Sequence, residues 1–332
     1  MHERVSFLDS LRLERPVVQA GMGGGVAGGP LAGAVSAAGG LGTVGMMAPR
    51  ELHAALAQAR RLAPGRPVAA NLLVPFIRSA HIQACAEAGA ALAVLHGGLG
   101  RRWIGRLRAR GVPAFVTVGT AQQASRALAA GAEGLVVQGL EAGGHLVAVA
   151  PLARALPVVL GAAAGAPVLA AGGVADAADV ARLLEAGAAA AVAGTRFLAS
   201  EESGAHEGYK RRVLGARHTL ATELFGIGWP LRHRVIGNAA TERWCARDPR
   251  GPAAVRALSL LSTPLGRAIP ISATGRIAEL QRPELPLFGP ALPLAGMPDR
   301  TLDSCALYAG ETVARIDRLL AASAAVDSLT PR

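Results

Sequence analysis

The chain has 332 residues, 51% of them hydrophobic and 17% charged, with 34 basic against 23 acidic side chains and a net charge of +11. That length and apolar content are enough to bury a large core and exclude a disordered or fibrous chain. The basic residues divide evenly, 17 before Ala205 and 17 after it, with no run longer than 210–212 and few aromatic residues between them; they read as a solvated arginine-rich surface, not as a nucleic-acid footprint.

In chain order, short apolar strands are expected at 17–20, 41–45, 68–71, 92–95, 114–118, 134–138, 168–171 and 190–194. Alanine-rich helical stretches lie between them at 30–38, 50–62, 79–88, 101–110, 121–130, 151–163 and 177–186. Most strands recur every 20 to 27 residues, roughly the length of a βα unit. The tripeptide AGA closes the helix before three of the strands, at 88–90, 130–132 and 186–188. Glycine at a helix end followed at once by a buried strand is the short connection of a regular α/β array. The strands read as continuous apolar runs, which implies cover on both faces and hence a parallel sheet.

Eight such units predict a closed (β/α)8 TIM barrel over residues 1–205. The rhythm breaks after Phe197, and 206–300 is expected to be a lid of helices and irregular loops, rich in proline and glycine after Asp248. A last helix is expected at 309–324, within a segment 301–332 that packs back on the barrel. The N-terminal stretch mixes charges of both signs before any apolar run, unlike a signal peptide, and glycine, proline and charge interrupt every apolar stretch, unlike a membrane span. Cys85, Cys245 and Cys305 fit neither a metal site nor a disulfide framework, as is ordinary in a reducing compartment. The expectation is a cytoplasmic protein with no membrane or nucleic-acid partner.

In such a barrel the residues just past the strand ends form one rim, where the chemistry sits. The stretch 130–145, AGAEGLVVQGLEAGGH, gives a strand tipped by Gln138 and a loop in which Gly143 and Gly144 precede His145. Two glycines beside a titratable ring leave room for a flat ligand against the backbone; a tight turn with a half-exposed histidine is the plainer alternative. The loop after the first strand has six glycines between Gly21 and Gly29, without the acid at the distance a dinucleotide fold requires. Glycines follow strands seven and eight, at Gly172–Gly173 and at Gly194 before Thr195. Loops at those two positions make a phosphate cradle, with Asp176 or Asp179 favouring the helix and not the phosphate. His96 is a second rim histidine that reads better as a satisfied loop residue. His53, His81, His206, His218 and His233 rank below it, and no metal site is expected.

QAGMGG at 19–24, AANLLVP at 69–75, VQGLEAGGH at 137–145, AAGGVAD at 170–176 and AGTRF at 193–197 together resemble the nitronate monooxygenase family of FMN-dependent barrel enzymes, with a weaker return at LYAGE, 307–311. The flavin-type enoyl-acyl-carrier-protein reductases share nearly all these motifs. The resemblance implies FMN against Ala20, Gly21, Met22 and Gly23, bonded by Asn71 and Gln138, passed by Gly143 and Gly144, and held at its phosphate by Gly172, Gly173, Gly194 and Thr195. His145 matches the family's active-site histidine. The family often has proline at the position of Gly21 and commonly glycine at that of Val147. The implied activity is oxidation of alkyl nitronates, or nitroalkanes, by dioxygen to a carbonyl compound and nitrite, with a homodimer as one option for assembly. The alternatives are an NAD(P)H-dependent enoyl-thioester reductase and a non-catalytic barrel that binds FMN or another phosphorylated ligand.

Overall fold

A computed structural model describes residues 7–332; the charged start of the chain, expected not to be a signal peptide, begins in residues 1–6, outside them. All eight expected strands form, at Val17–Gln19, Gly42–Val44, Val68–Leu73, Ala93–His96, Ala114–Val118, Gly134–Gln138, Val168–Ala171 and Ala190–Ala193. They pair in parallel, in the spatial order one, eight, seven, six, five, four, three, two. A parallel bridge from Val18 to Leu41 brings strand one against strand two and rounds the sheet into the expected barrel. The AGA glycines Gly89, Gly131 and Gly187 take φ of +65°, +92° and +98°, the left-handed turn that ends a helix and starts the next strand.

Alternate strand residues fall into two cores, as a period of two demands. Val17, Val68, Ala70, Leu72, Leu95, Val116, Val137 and Ala191 pack outward under the helices. Val18, Leu41, Ala69, Val94, Phe115, Val136, Leu169 and Val192 fill the barrel, and Phe7 joins them with its ring 5.7 Å from that of Phe115. Two residues further along the inward face come Ala20, Thr43, Asn71, His96, Thr117, Gln138, Ala171 and Gly194. Small or polar, they sit above that apolar plug and line a cavity at the mouth of the barrel. The strand alternation alone therefore sets the cavity's floor.

Seven crossover helices follow the expected pattern, from Gly29–Ala37 to Ala177–Glu185. The helix after strand eight, Thr195–Leu198, has only four residues; Ala322–Leu329 returns much later and packs against Gly29–Ala37 and Ala177–Glu185. The single helix expected at 309–324 does not form. Its first part is the 3-10 helix Glu311–Arg315, Leu320 bridges Ser200, and the α-helix starts at Ala322.

Between these two helices the chain covers the rim with short helices and two small cores of its own, one around Tyr209 and Leu307, the other around Phe225 and Phe288. A three-stranded antiparallel ribbon, Leu220–Thr222, His233–Val235 and Gly144–His145, ties this cover to the barrel and pairs His233 with His145. Helices and irregular loops were expected there, without strands. No helix among the described residues is long and apolar enough to cross a membrane.

Candidate functional site

The cavity at the barrel mouth has a volume of about 600 Å³, within the size range of small-molecule sites. Every sequence-predicted site residue lines it: Ala20, Gly21, Met22, Gly23, Asn71, Gln138, Gly143, Gly144, His145, Gly172, Gly173, Gly194 and Thr195. The glycines are needed for close approach. A Cβ on Gly21 would land on the Asn71 side chain, so glycine at 21 and asparagine at 71 are fitted to each other. A Cβ on Gly143 would stand 2.6 Å from the carbonyl carbon of Ala309 and from the nitrogen of Gly310. Thr195 Oγ1 accepts from Gly310 N–H at 2.9 Å, so the segment 309–310 is pinned between the loops after strands six and eight.

After strand seven the two aspartates serve the helix. Asp176 caps the helix Ala177–Glu185 by accepting from Asp179 N–H, and Asp179 accepts from Ala175 N–H, so both carboxylates serve the helix start. Arg315 clamps this turn, donating to the Gly173 carbonyl at 3.0 Å and pairing with Asp176 and Asp179 at 3.1 and 2.8 Å. Among the described residues the N–H groups of Gly172, Gly173 and Gly194 have no protein acceptor. Such groups call for water or an anion, and at Gly194 the start of a helix adds its dipole.

Asn71 is 8% exposed, and its amide has no protein partner among the described residues. Gln138 is committed differently: its Nε2 donates to the His145 carbonyl at 3.1 Å and its Oε1 accepts from Val147 N–H at 2.8 Å. Its side chain thus holds the His145 loop in place, and Val147, the departure noted in the sequence, serves through its backbone. His96, at the tip of strand four, donates from Nε2 to the same carbonyl at 3.1 Å.

The His145 ring forms no hydrogen bond among the described residues, and its Nε2 is buried and unpaired. It stacks on Trp229 at 3.7 Å and 18°, with His233 and Tyr308 each at 5.2 Å. Burial first, then the neighbouring His233 and His96, hold its pKa well below the ordinary histidine value, so the ring is neutral at pH 7. His233 spends both ring nitrogens on the backbone, donating from Nδ1 to Leu231 O and accepting at Nε2 from Phe225 N–H. Burial puts its pKa at about 4.

The family model described as nitronate monooxygenase matches residues 6–97 and 77–331. The chain belongs to the nitronate monooxygenase family. A curated relative from Mycobacterium tuberculosis, (3aS,4S,5R,7aS)-5-hydroxy-7a-methyl-1-oxo-octahydro-1H-indene-4-carboxyl-CoA dehydrogenase, is 30% identical over 73% of this chain and 69% of its own. Its namesake from Rhodococcus jostii is 34% identical over 48% of this chain and 45% of its own. Among solved structures, FabK from Thermotoga maritima superposes with a TM-score of 0.76 at 24% identity, over 99% of this chain and 95% of its own. Nitroalkane oxidase from Streptomyces ansochromogenes superposes with 0.74 at 27% identity, over 97% and 96%.

Within this family member, the residues missed by sequence reasoning are Trp229, His233 and Tyr308, all from the cover and all packed on His145. His233 lies 88 positions from His145 in a stretch, HRVI, whose only strand-favouring feature is the β-branched pair Val235 and Ile236, with no polar–apolar alternation. Arg234, next to it, donates from Nε to Leu140 O at 3.0 Å and pairs with Glu311 at 2.9 Å, binding the ribbon to the His145 loop. The three cysteines are buried and free, and burial pushes the Cys85 thiol up to about 12 and that of Cys305 to about 11, which makes both poor nucleophiles.

Proposed function

We propose that the cavity binds FMN and that the chain oxidises alkyl nitronates, and nitroalkanes once deprotonated, with dioxygen to a carbonyl compound and nitrite. The observation that carries this reading is His145, 9% exposed in the cavity wall, neutral, with an unpaired Nε2, and preceded by two glycines that leave space for a flat ring. The residues present fit the cofactor. Ala20, Gly21, Met22 and Gly23 would line one edge of the ring system, the unpartnered Asn71 amide would bond to it, and Gly143 and Gly144 would pass beside it. Gln138 would act through the His145 loop it anchors. The N–H groups of Gly172, Gly173, Gly194 and Thr195 would hold the phosphate. Bound FMN supplies the electron transfer and oxygen chemistry that side chains do not. His145 would accept the α-proton of a neutral nitroalkane, or orient a nitronate that arrives already deprotonated. Similarity to a nitroalkane oxidase over nearly the whole chain supports the reading.

A second reading, oxidoreduction of an acyl thioester with a nicotinamide cofactor, draws on the outer wall of the cavity. Ile227, Ile269, Ile271, Ile277 and Leu292 make it aliphatic and larger than a short nitronate needs, and both curated relatives are named as dehydrogenases of an indene-4-carboxyl-CoA, a thioester. The test is to purify the protein, record its visible spectrum, and assay nitronates with oxygen beside acyl and enoyl thioesters with NAD(P)+ and NAD(P)H. A flavin spectrum with oxygen-dependent nitrite release is expected. Nicotinamide turnover on thioesters alone would install the second reading, and a flavin-bound protein silent in every assay would leave a binding barrel.

A further inference from the structure

We propose that Trp229 is the positioning residue for His145, stacking on its ring and stabilising the imidazolium that forms when His145 takes the α-proton of a neutral nitroalkane. The proposal rests on the reading of His145 as a base. In that step the α-carbon to hydrogen bond breaks, the proton goes to an imidazole nitrogen, and the electron pair stays on the substrate as the nitronate.

The problem Trp229 solves is visible in the surroundings of His145. Among the described residues no hydrogen bond fixes the ring, and packing sets its orientation. Among the described residues the titratable groups facing it are His233 from the ribbon, His96 from strand four and Tyr308 from the segment before the 3-10 helix, and none is an anion. His233 cannot share the proton, because both its nitrogens are engaged with the backbone. The Tyr308 hydroxyl donates to Pro290 O at 3.0 Å. Glu141 turns its carboxylate to the Leu152 N–H and Glu311 pairs with Arg234, and neither bonds to the His145 ring. A buried imidazolium without a counter-charge is costly.

The indole face is the nearest aromatic source of negative potential, the Tyr308 ring standing farther off and tilted by 46°, and a cation against such a face in a dry site gains considerably more than at an exposed one. At 3.7 Å and 18° it lies flat on the imidazole. Trp229 is itself wedged: its indole meets Phe76 edge-on at 5.5 Å and 88°, and a Cβ on Gly97 would stand only 2.8 Å from its Cζ2. It is 7% exposed and cannot swing away without moving strand four's loop.

The test compares Trp229→Leu, Trp229→Phe and His145→Ala as flavin-loaded proteins of measured flavin content, with kcat/KM read on the neutral and the anionic form of one nitroalkane. Trp229→Leu keeps an apolar plug but no π face; its loss on the neutral form should exceed its loss on the nitronate by about tenfold to thirtyfold. Trp229→Phe should recover part of the loss. If Trp229→Leu fails to hold flavin, the same ratio read on Trp229→Phe decides. Equal losses on both forms, or no loss on the neutral form, overturn the proposal. His145→Ala separates the two ideas: equal losses there remove the base itself, whereas a loss confined to the neutral form, with an unselective Trp229 variant, removes only the role of Trp229.

Discussion

His233 shows how one buried residue ties the site to the stability of the cover. Its side chain is fully buried, and its folded pKa of about 4 lies below the ordinary 6.5 because burial penalises the charged ring. As pH falls through 6.5 the unfolded chain takes up a proton that the folded chain refuses until about 4. Stability is therefore complete above pH 6.5 and drains between 6.5 and 4, by an amount on the order of 3 kcal/mol for this one group. His96, also held at about 4, acts in the same direction. Urea midpoints measured from pH 7.5 down to pH 4.5 should fall accordingly. His233→Asn should be less stable at pH 7.5 yet show a shallower fall, and an unchanged slope in that variant would assign the pH dependence elsewhere. Of the residues around His145, the sequence made His145 itself visible through Gly143 and Gly144. It hid His233 and Trp229, because stacking across long chain separations leaves no local pattern.

At the scale of elements, the loops carry two different kinds of glycine. Gly143 is a contact glycine: an added Cβ meets the backbone of 309–310, which cannot yield because Gly310 N–H is bonded to Thr195. Gly143→Ala should cost about 1–3 kcal/mol, as overpacking does, and appear as a lower melting temperature. Gly173 is a conformational glycine, at φ +71°, with nothing nearer its Cβ position than Glu141 Cβ at 3.9 Å. Gly173→Asp should leave a folded barrel, slightly strained, and put a negative charge where the FMN phosphate is proposed to lie. Its signature is lost flavin at nearly unchanged far-UV circular dichroism; wild-type flavin occupancy in that variant would count heavily against the phosphate site. The 309–324 segment, AGETVARIDRLLAASA, has the composition of a helix and becomes one only from Ala322 onward. Tertiary bonds override the propensity: Gly310 to Thr195, Arg315 to the turn at 173–179, the Arg318 carbonyl to buried Arg196, and Leu320 to Ser200 each fix a residue where a continuous helix could not place it.

At the scale of the molecule, barrel and cover differ in how much of them the sequence disclosed. The barrel repeats one unit, so strand alternation, AGA turns and rim glycines each recur several times and reinforce one another. The cover has no repeat; its short helices and the ribbon at 233–235 are fixed by packing on Phe225, Phe288 and Tyr209, which a local reading does not anticipate. Yet the cover supplies the outer wall of the cavity, so it should decide how much substrate is gripped. Ile227, Ile269, Ile271 and Ile277 present aliphatic surface beyond the barrel's polar floor. Each methylene moved from water onto such a wall gains about 0.8 kcal/mol, close to fourfold in kcat/KM when the gain is realised in the transition state. A series of primary nitronates from ethyl to hexyl should therefore rise by about twofold to fourfold per carbon until the wall is covered. Ile227→Ala, next but one to Trp229, should flatten that rise while leaving the ethyl member nearly unchanged. A flat series in the wild type would mean that the cover does not close on the alkyl chain during turnover.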